Sequence, residues 1–112
     1  MSELQLDMRG EIHVFGSTAH ITAVEVKSGA QMKEGVIQLL KRLAVMSLAT
    51  KHLYAEYGLA VEQFYCVGEL LIPVYPQSRN DLSPDDLASF MDEIGFTQEA
   101  KKFLNTAYIR AG

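Results

Sequence analysis

The chain has 112 residues, 48% of them apolar, and a formal net charge of −4. That is enough apolar material for one core and too little length for two ordinary domains, so a single domain spanning 1–112 is expected. The acidic balance does not suggest an extended nucleic-acid surface, which usually shows as a basic patch.

In chain order, Gly10-Glu11-Ile12-His13-Val14-Phe15-Gly16 and His20-Ile21-Thr22-Ala23-Val24-Glu25-Val26-Lys27 are short and rich in β-branched residues. They read as two strands joined by a turn at Gly16-Ser17-Thr18-Ala19, an antiparallel hairpin. Ser28-Gly29-Ala30 ends the second strand. From Gln31 to about Tyr57 the period changes: Met32, Val36, Leu40, Leu43, Met46, Leu53 and Tyr57 recur at three- and four-residue steps, with Lys33, Lys41, Arg42 and Lys51 between them. That spacing predicts a long amphipathic helix, stopped by Gly58.

Phe64 to Val74 is nearly continuous in apolar residues and predicts a central strand buried on both faces, parallel to the strand at 20–27 after a crossover through the helix. Pro76 to Leu82 reads as a loop. Ser83-Pro84-Asp85-Asp86 carries the signals of a helix start: an N-cap serine, proline at the first helical position and acids in the first turn. This helix ends near Gly95. A last helix opens at Thr97-Gln98-Glu99-Ala100 and carries Phe103, Leu104, Ala107 and Tyr108. The expected fold is therefore α/β (α+β): a small mixed sheet with an N-terminal hairpin, a long crossover helix, a buried strand, and a C-terminal helical part at about 83–110.

No apolar run approaches the ~20 residues of a membrane helix. Met1-Ser2-Glu3 does not begin a basic segment followed by an apolar one, so no secretory signal is expected. Cys66 is the single cysteine of the sequence. An internal disulfide is excluded, and a buried, inert thiol in a reducing, cytoplasmic setting is the expectation.

Alternate residues of a strand share a face, so Glu25 and Lys27 are expected on one side, and Glu11 and His13 together on the neighbouring strand. If the hairpin brings the two pairs to the same side of the sheet, two carboxylates, an imidazole and an ammonium meet. Carboxylate oxygens suit Mg²⁺ or Mn²⁺. Such an ion, with a lysine, can orient water and stabilise charge on a phosphodiester.

Gly10-Glu11-Ile12-His13-Val14, a short turn, Ala23-Val24-Glu25-Val26-Lys27-Ser28, then a long helix and an apolar strand resemble the core of the PD-(D/E)xK nucleases over about residues 8–75. The resemblance implies a restriction endonuclease-like core, with Glu25 and Lys27 as catalytic residues and Gln31 or Gln38 as the helical polar residue. It implies a Mg or Mn site formed by Glu11, His13 and Glu25, and DNA or RNA as the partner. His13 stands where that family carries its metal-binding aspartate, which makes the implied form a reduced one. The alternative expectation is a non-catalytic module that keeps the scaffold for homo-oligomerisation or for docking to a larger protein.

Overall fold

The computed structural model describes residues 8–26, 32–71 and 80–111. Its elements, in order, are β1 (Met8–Phe15), β2 (Thr18–Val26), α1 (Met32–Glu56), β3 (Gln63–Leu71), β4 (Asn80–Leu82), α2 (Pro84–Glu93), α3 (Gln98–Phe103) and β5 (Tyr108–Ala111). The strands form one mixed five-stranded sheet in the order β1-β2-β3-β5-β4. β1 is antiparallel to β2, β2 and β3 are parallel, β3 and β5 are parallel, and β4 runs antiparallel to β5. The mixed α/β class expected from the sequence is the class observed.

Local chemistry explains the early elements. Gly16 has φ +61° and Ser17 does not enter the positive-φ region, the pattern of a two-residue turn with glycine first. Phe15 therefore pairs directly with Thr18. α1 ends in a Schellman motif: the Leu59 N–H reaches the Tyr54 carbonyl and the Gly58 N–H the Ala55 carbonyl, both at 3.0 Å, with Gly58 at φ +76°. α2 is capped as its sequence predicts, the Asp86 N–H donating to Ser83 Oγ at 3.1 Å with Pro84 at the helix start. Thr97 caps α3 in the same way through the Ala100 N–H, at 3.1 Å.

The helices lie on one face of the sheet. Along β2 the buried residues are Ala19, Ile21, Ala23 and Glu25, and along β3 they are Phe64, Cys66, Gly68 and Leu70. They meet Val36, Leu39, Leu40, Leu43 and Ala44, a stripe on α1 at three- and four-residue spacing. Leu87, Met91, Phe103 and Leu104 extend this core toward Ile109 of β5. The Phe64 and Phe103 rings pack edge to face at 4.9 Å, and Lys33 Nζ bridges α1 to Glu93 of α2 at 2.8 Å.

Three expectations are corrected. β3 is the central strand, but only one of its faces is covered; Tyr65 and Val67 are exposed on the other. The last helix stops at Phe103, and Tyr108, expected within it, begins β5. Residues 80–82, expected in a loop, form β4 at the sheet edge.

Cys66 sits in the core as expected. Its thiol contacts Ser47 Oγ at 3.4 Å and donates to the Phe103 carbonyl at 3.6 Å. Burial pushes its pKa above the ordinary value of 9.0, and the Ser47 hydroxyl opposes that rise. The unfolded thiol therefore ionises first as pH rises. The contribution of Cys66 to stability is complete below its ordinary pKa and declines above it. Denaturant melts should show stability falling from about pH 9 upward, with Cys66→Ala lacking that component. In the native state the thiol should react with an aromatic disulfide reagent only as fast as the protein unfolds.

Candidate functional site

The site is built from the last inward position of β2 and one flank of α1. Strand alternation carries the row Ala19, Ile21, Ala23 inward, and Glu25 continues it at 5% exposure. On α1, Gln38, Lys41, Arg42 and Val45 fall at i, i+3, i+4 and i+7, a flank beside the core stripe. With Glu25 and Met46 these four residues line a cavity of about 430 Å³. Glu25 is buried and Gln38 half-buried, whereas Lys41 and Arg42 are exposed at the helix surface. Gly10 lets β1 come close to this wall: a Cβ there would lie 2.8 Å from Met46 Cε.

The cavity thus combines an inner carboxylate, an amide that can donate and accept, and two permanent cations. Among the described residues neither Lys41 nor Arg42 is in an ion pair. Lys33, one turn and more toward the start of the helix, is paired with Glu93. The chemistry open to such a set is capture of a phosphate ester: cations for charge, and the amide for a phosphate oxygen or a sugar hydroxyl.

No known protein family, curated protein or solved structure matches the chain.

The site's geometry separates residues the sequence reading had joined. A two-residue turn pairs odd-numbered positions of β1 with even-numbered positions of β2: Glu11 lies opposite Thr22, and His13 opposite His20. Directly paired residues share a face, so Glu11 and His13 stand on the uncovered side of the sheet. Glu25 pairs with Met8 and faces the helices. The expected convergence of Glu11, His13 and Glu25 is thus corrected, because the sheet itself lies between them. On their own side, His13 Nε2 and Glu11 Oε1 approach to 3.1 Å at an exposed edge. Lys27 and Gln31 lie outside the described residues, and Gln38 is the helical polar residue that reaches the cavity.

The donor set decides the fit to a divalent cation. Among the described residues no three His, Cys, Asp or Glu side chains come together, and Glu25 is the only carboxylate on this cavity wall. Mg²⁺ and Mn²⁺ want several oxygen donors in octahedral array. The metal site implied by the resemblance does not fit these residues.

In the sequence Lys41 and Arg42 stand only as polar positions of an amphipathic helix. Their offset of three and four residues from Gln38 was the available signal. Glu69, expected inside a strand buried on both sides, is half-buried on the uncovered face, in register with Val24 and Arg110. His20 and His52 are both exposed. No helix among the described residues is long and apolar enough to cross a membrane.

Proposed function

We propose that the protein is a nuclease-like domain that binds the phosphodiester backbone of DNA or RNA without hydrolysing it unaided, a remnant of a PD-(D/E)xK site. One observation carries this reading: Glu25, Gln38, Lys41 and Arg42 line a single cavity between β2 and α1. The Glu25-x-Lys27 sequence and the helical Gln38 support the resemblance. The face change at Glu11 and His13 argues for binding over metal-dependent cleavage. Lys41 and Arg42 supply the attraction for phosphate. Gln38 fixes the strand by hydrogen bonding. Glu25 forms the inner, buried end of the cavity.

Fluorescence anisotropy with labelled single- and double-stranded oligonucleotides at low salt tests the reading. The wild type should bind, and Gln38→Ala should weaken binding about tenfold, the loss expected for a hydrogen bond to a charged group. Plasmid incubated with protein and Mn²⁺ should remain intact. Nicking that disappears in Glu25→Ala would show an active nuclease, and absence of binding at low salt would remove the nucleic-acid reading.

A further inference from the structure

Strand β1 is an open edge of the sheet: among the described residues no strand pairs with its outer side. The opposite edge, β4, is three residues long, whereas β1 runs for eight. It has no proline, no lysine and no bulge, and each residue from Met8 to Phe15 pairs in turn with β2. Those are the devices that normally keep an exposed edge from pairing. Ile12 lies opposite buried Ile21 on the helix side, yet it stays 43% exposed at this edge.

The backbone fixes which groups face outward. The Ser17 carbonyl accepts from the Gln63 N–H at 3.1 Å, so odd positions here bond toward β3 and even positions of β2 bond toward β1. Thr18, His20, Thr22 and Val24 therefore bond Phe15, His13, Glu11 and Arg9. This leaves the N–H and C=O groups of Met8, Gly10, Ile12 and Val14 pointing away from the sheet.

An added antiparallel strand must match outward residues to outward residues. A second β1 centred on Ile12 does so: Ile12 meets the partner's Ile12, and Gly10 and Val14 meet the partner's Val14 and Gly10, with about two hydrogen bonds per pair. Glu11 then lies opposite the partner's His13, and His13 opposite the partner's Glu11, in the closely spaced pairs where side chains interact. Both side chains are open to this, at 72% and 58% exposure. Their contact within one chain uses Glu11 Oε1 and His13 Nε2, which leaves the other carboxylate oxygen and ring nitrogen for the partner. Centring the pair on Glu11 would set two carboxylates face to face, and centring it on His13 would keep only the Ile12 and Val14 pairs. Acid and imidazole at equal distances from Ile12 make the strand its own complement, and that selects a second copy as the occupant. We propose that the chain forms a two-fold homodimer in which β1 pairs antiparallel with the partner's β1 about Ile12. Opposed residues share a face, so the two sheets become one of ten strands with both helix layers on the same side. The dimer stands on the sheet edge alone and is independent of the Glu25 cavity. Its affinity comes from main-chain hydrogen bonds over a small contact, which places it among weak, exchanging associations.

Cysteine trapping of the full chain in a glutathione redox buffer tests both dimer and register. Ile12→Cys brings two thiols to the two-fold axis at a Cα separation of about 5.5 Å, within disulfide reach. The pair holds them at about millimolar effective concentration, so at about 100 μM protein the covalent dimer should form about tenfold faster than with Leu53→Cys. Leu53 is the stricter control, at 52% exposure on α1, and the native Cys66 is buried. Glu11→Cys mixed with a mass-tagged His13→Cys should give the mixed dimer in preference to either self-linked product, because the mixture keeps one Glu11–His13 pair. Adding Ile12→Pro to both removes an outward N–H that no bond within the chain uses, and should return the mixed product to the control rate. Far-UV circular dichroism checks that this variant is folded. Ile12→Cys that links no faster than Leu53→Cys overturns the proposal. So does a mixture that gives self-linked and mixed products in statistical proportion, or a mixed product that a folded Ile12→Pro variant forms unchanged.

Discussion

Replacing both Lys41 and Arg42 by alanine is expected to lower nucleic-acid affinity about 25- to 60-fold at 0.1 M salt and to flatten its salt dependence. Each cation that neutralises a phosphate releases condensed counterions and adds about 0.7 (single strand) to 0.9 (duplex) to the slope of log K against log salt. Two such contacts account for a slope of about 1.4 to 1.8, and between 1 M and 0.1 M that slope becomes the stated loss. The change in slope matters more than the change in affinity, because it counts phosphates and a general destabilisation of the fold does not alter it. Lys33→Ala is the matched control. Its ammonium is already engaged by Glu93 at 2.8 Å and lies 5.8 Å from the centre of the Phe90 ring, on the same helix but off the cavity. It should leave both affinity and slope near wild type. Equal losses in Lys33→Ala and in the double variant would mean that only the overall charge is felt, and the cavity would lose its role.

How far the sequence carries the fold can be judged strand by strand. α1 was legible because twenty-five residues repeat one period and glycine marks the end. β1 and β2 were legible from composition and Gly16. β4 and β5 were not. β4 has three residues, and β5 has four preceded by Phe103, Leu104 and Ala107, whose spacing imitates a helix. What turns β5 into a strand is tertiary: pairing with β3, and the Thr106 hydroxyl donating to the Phe64 carbonyl at 3.1 Å. The continuous apolar run of β3 concealed its one-sided burial, because Tyr65 and Val67 are as apolar as the residues facing the core. For the cavity, strand alternation singles out Glu25, whereas Gln38 enters, beside Gln31, only through the family resemblance. The error lay between strands. Whether odd positions of β1 share a face with odd or even positions of β2 depends on the parity of the turn, and one residue moves every side chain to the other side. Residue types alone do not record that parity; the turn conformation at Gly16 and Ser17 does.

Gly68→Val is expected to be strongly destabilising, by about 3 kcal/mol, the upper range for overpacking a tight core. Gly68 faces the helices at the centre of β3, where even a Cβ would lie 2.6 Å from Ile109 Cδ1 and 3.4 Å from Leu39 and Leu43 Cδ1. Those three neighbours are themselves buried, at 0–1% exposure, so none has solvent to move into. Valine adds two further carbons to that space. In a domain of this size the loss should appear as a fall in Tm of about 10–20 °C. Ile109→Ala alone should cost about 2–5 kcal/mol through the cavity it opens. Because the two changes act on the same volume, the double variant should be far less damaged than the two single losses together, with a coupling of about 1–3 kcal/mol. Additive losses would show that Gly68 and Ile109 do not touch, and with that the placement of β5 beside β3 would be wrong. The coupling therefore tests one of the two strand pairings the sequence did not foresee, and it is also the pairing that brings Tyr108 and Arg110 onto the uncovered face.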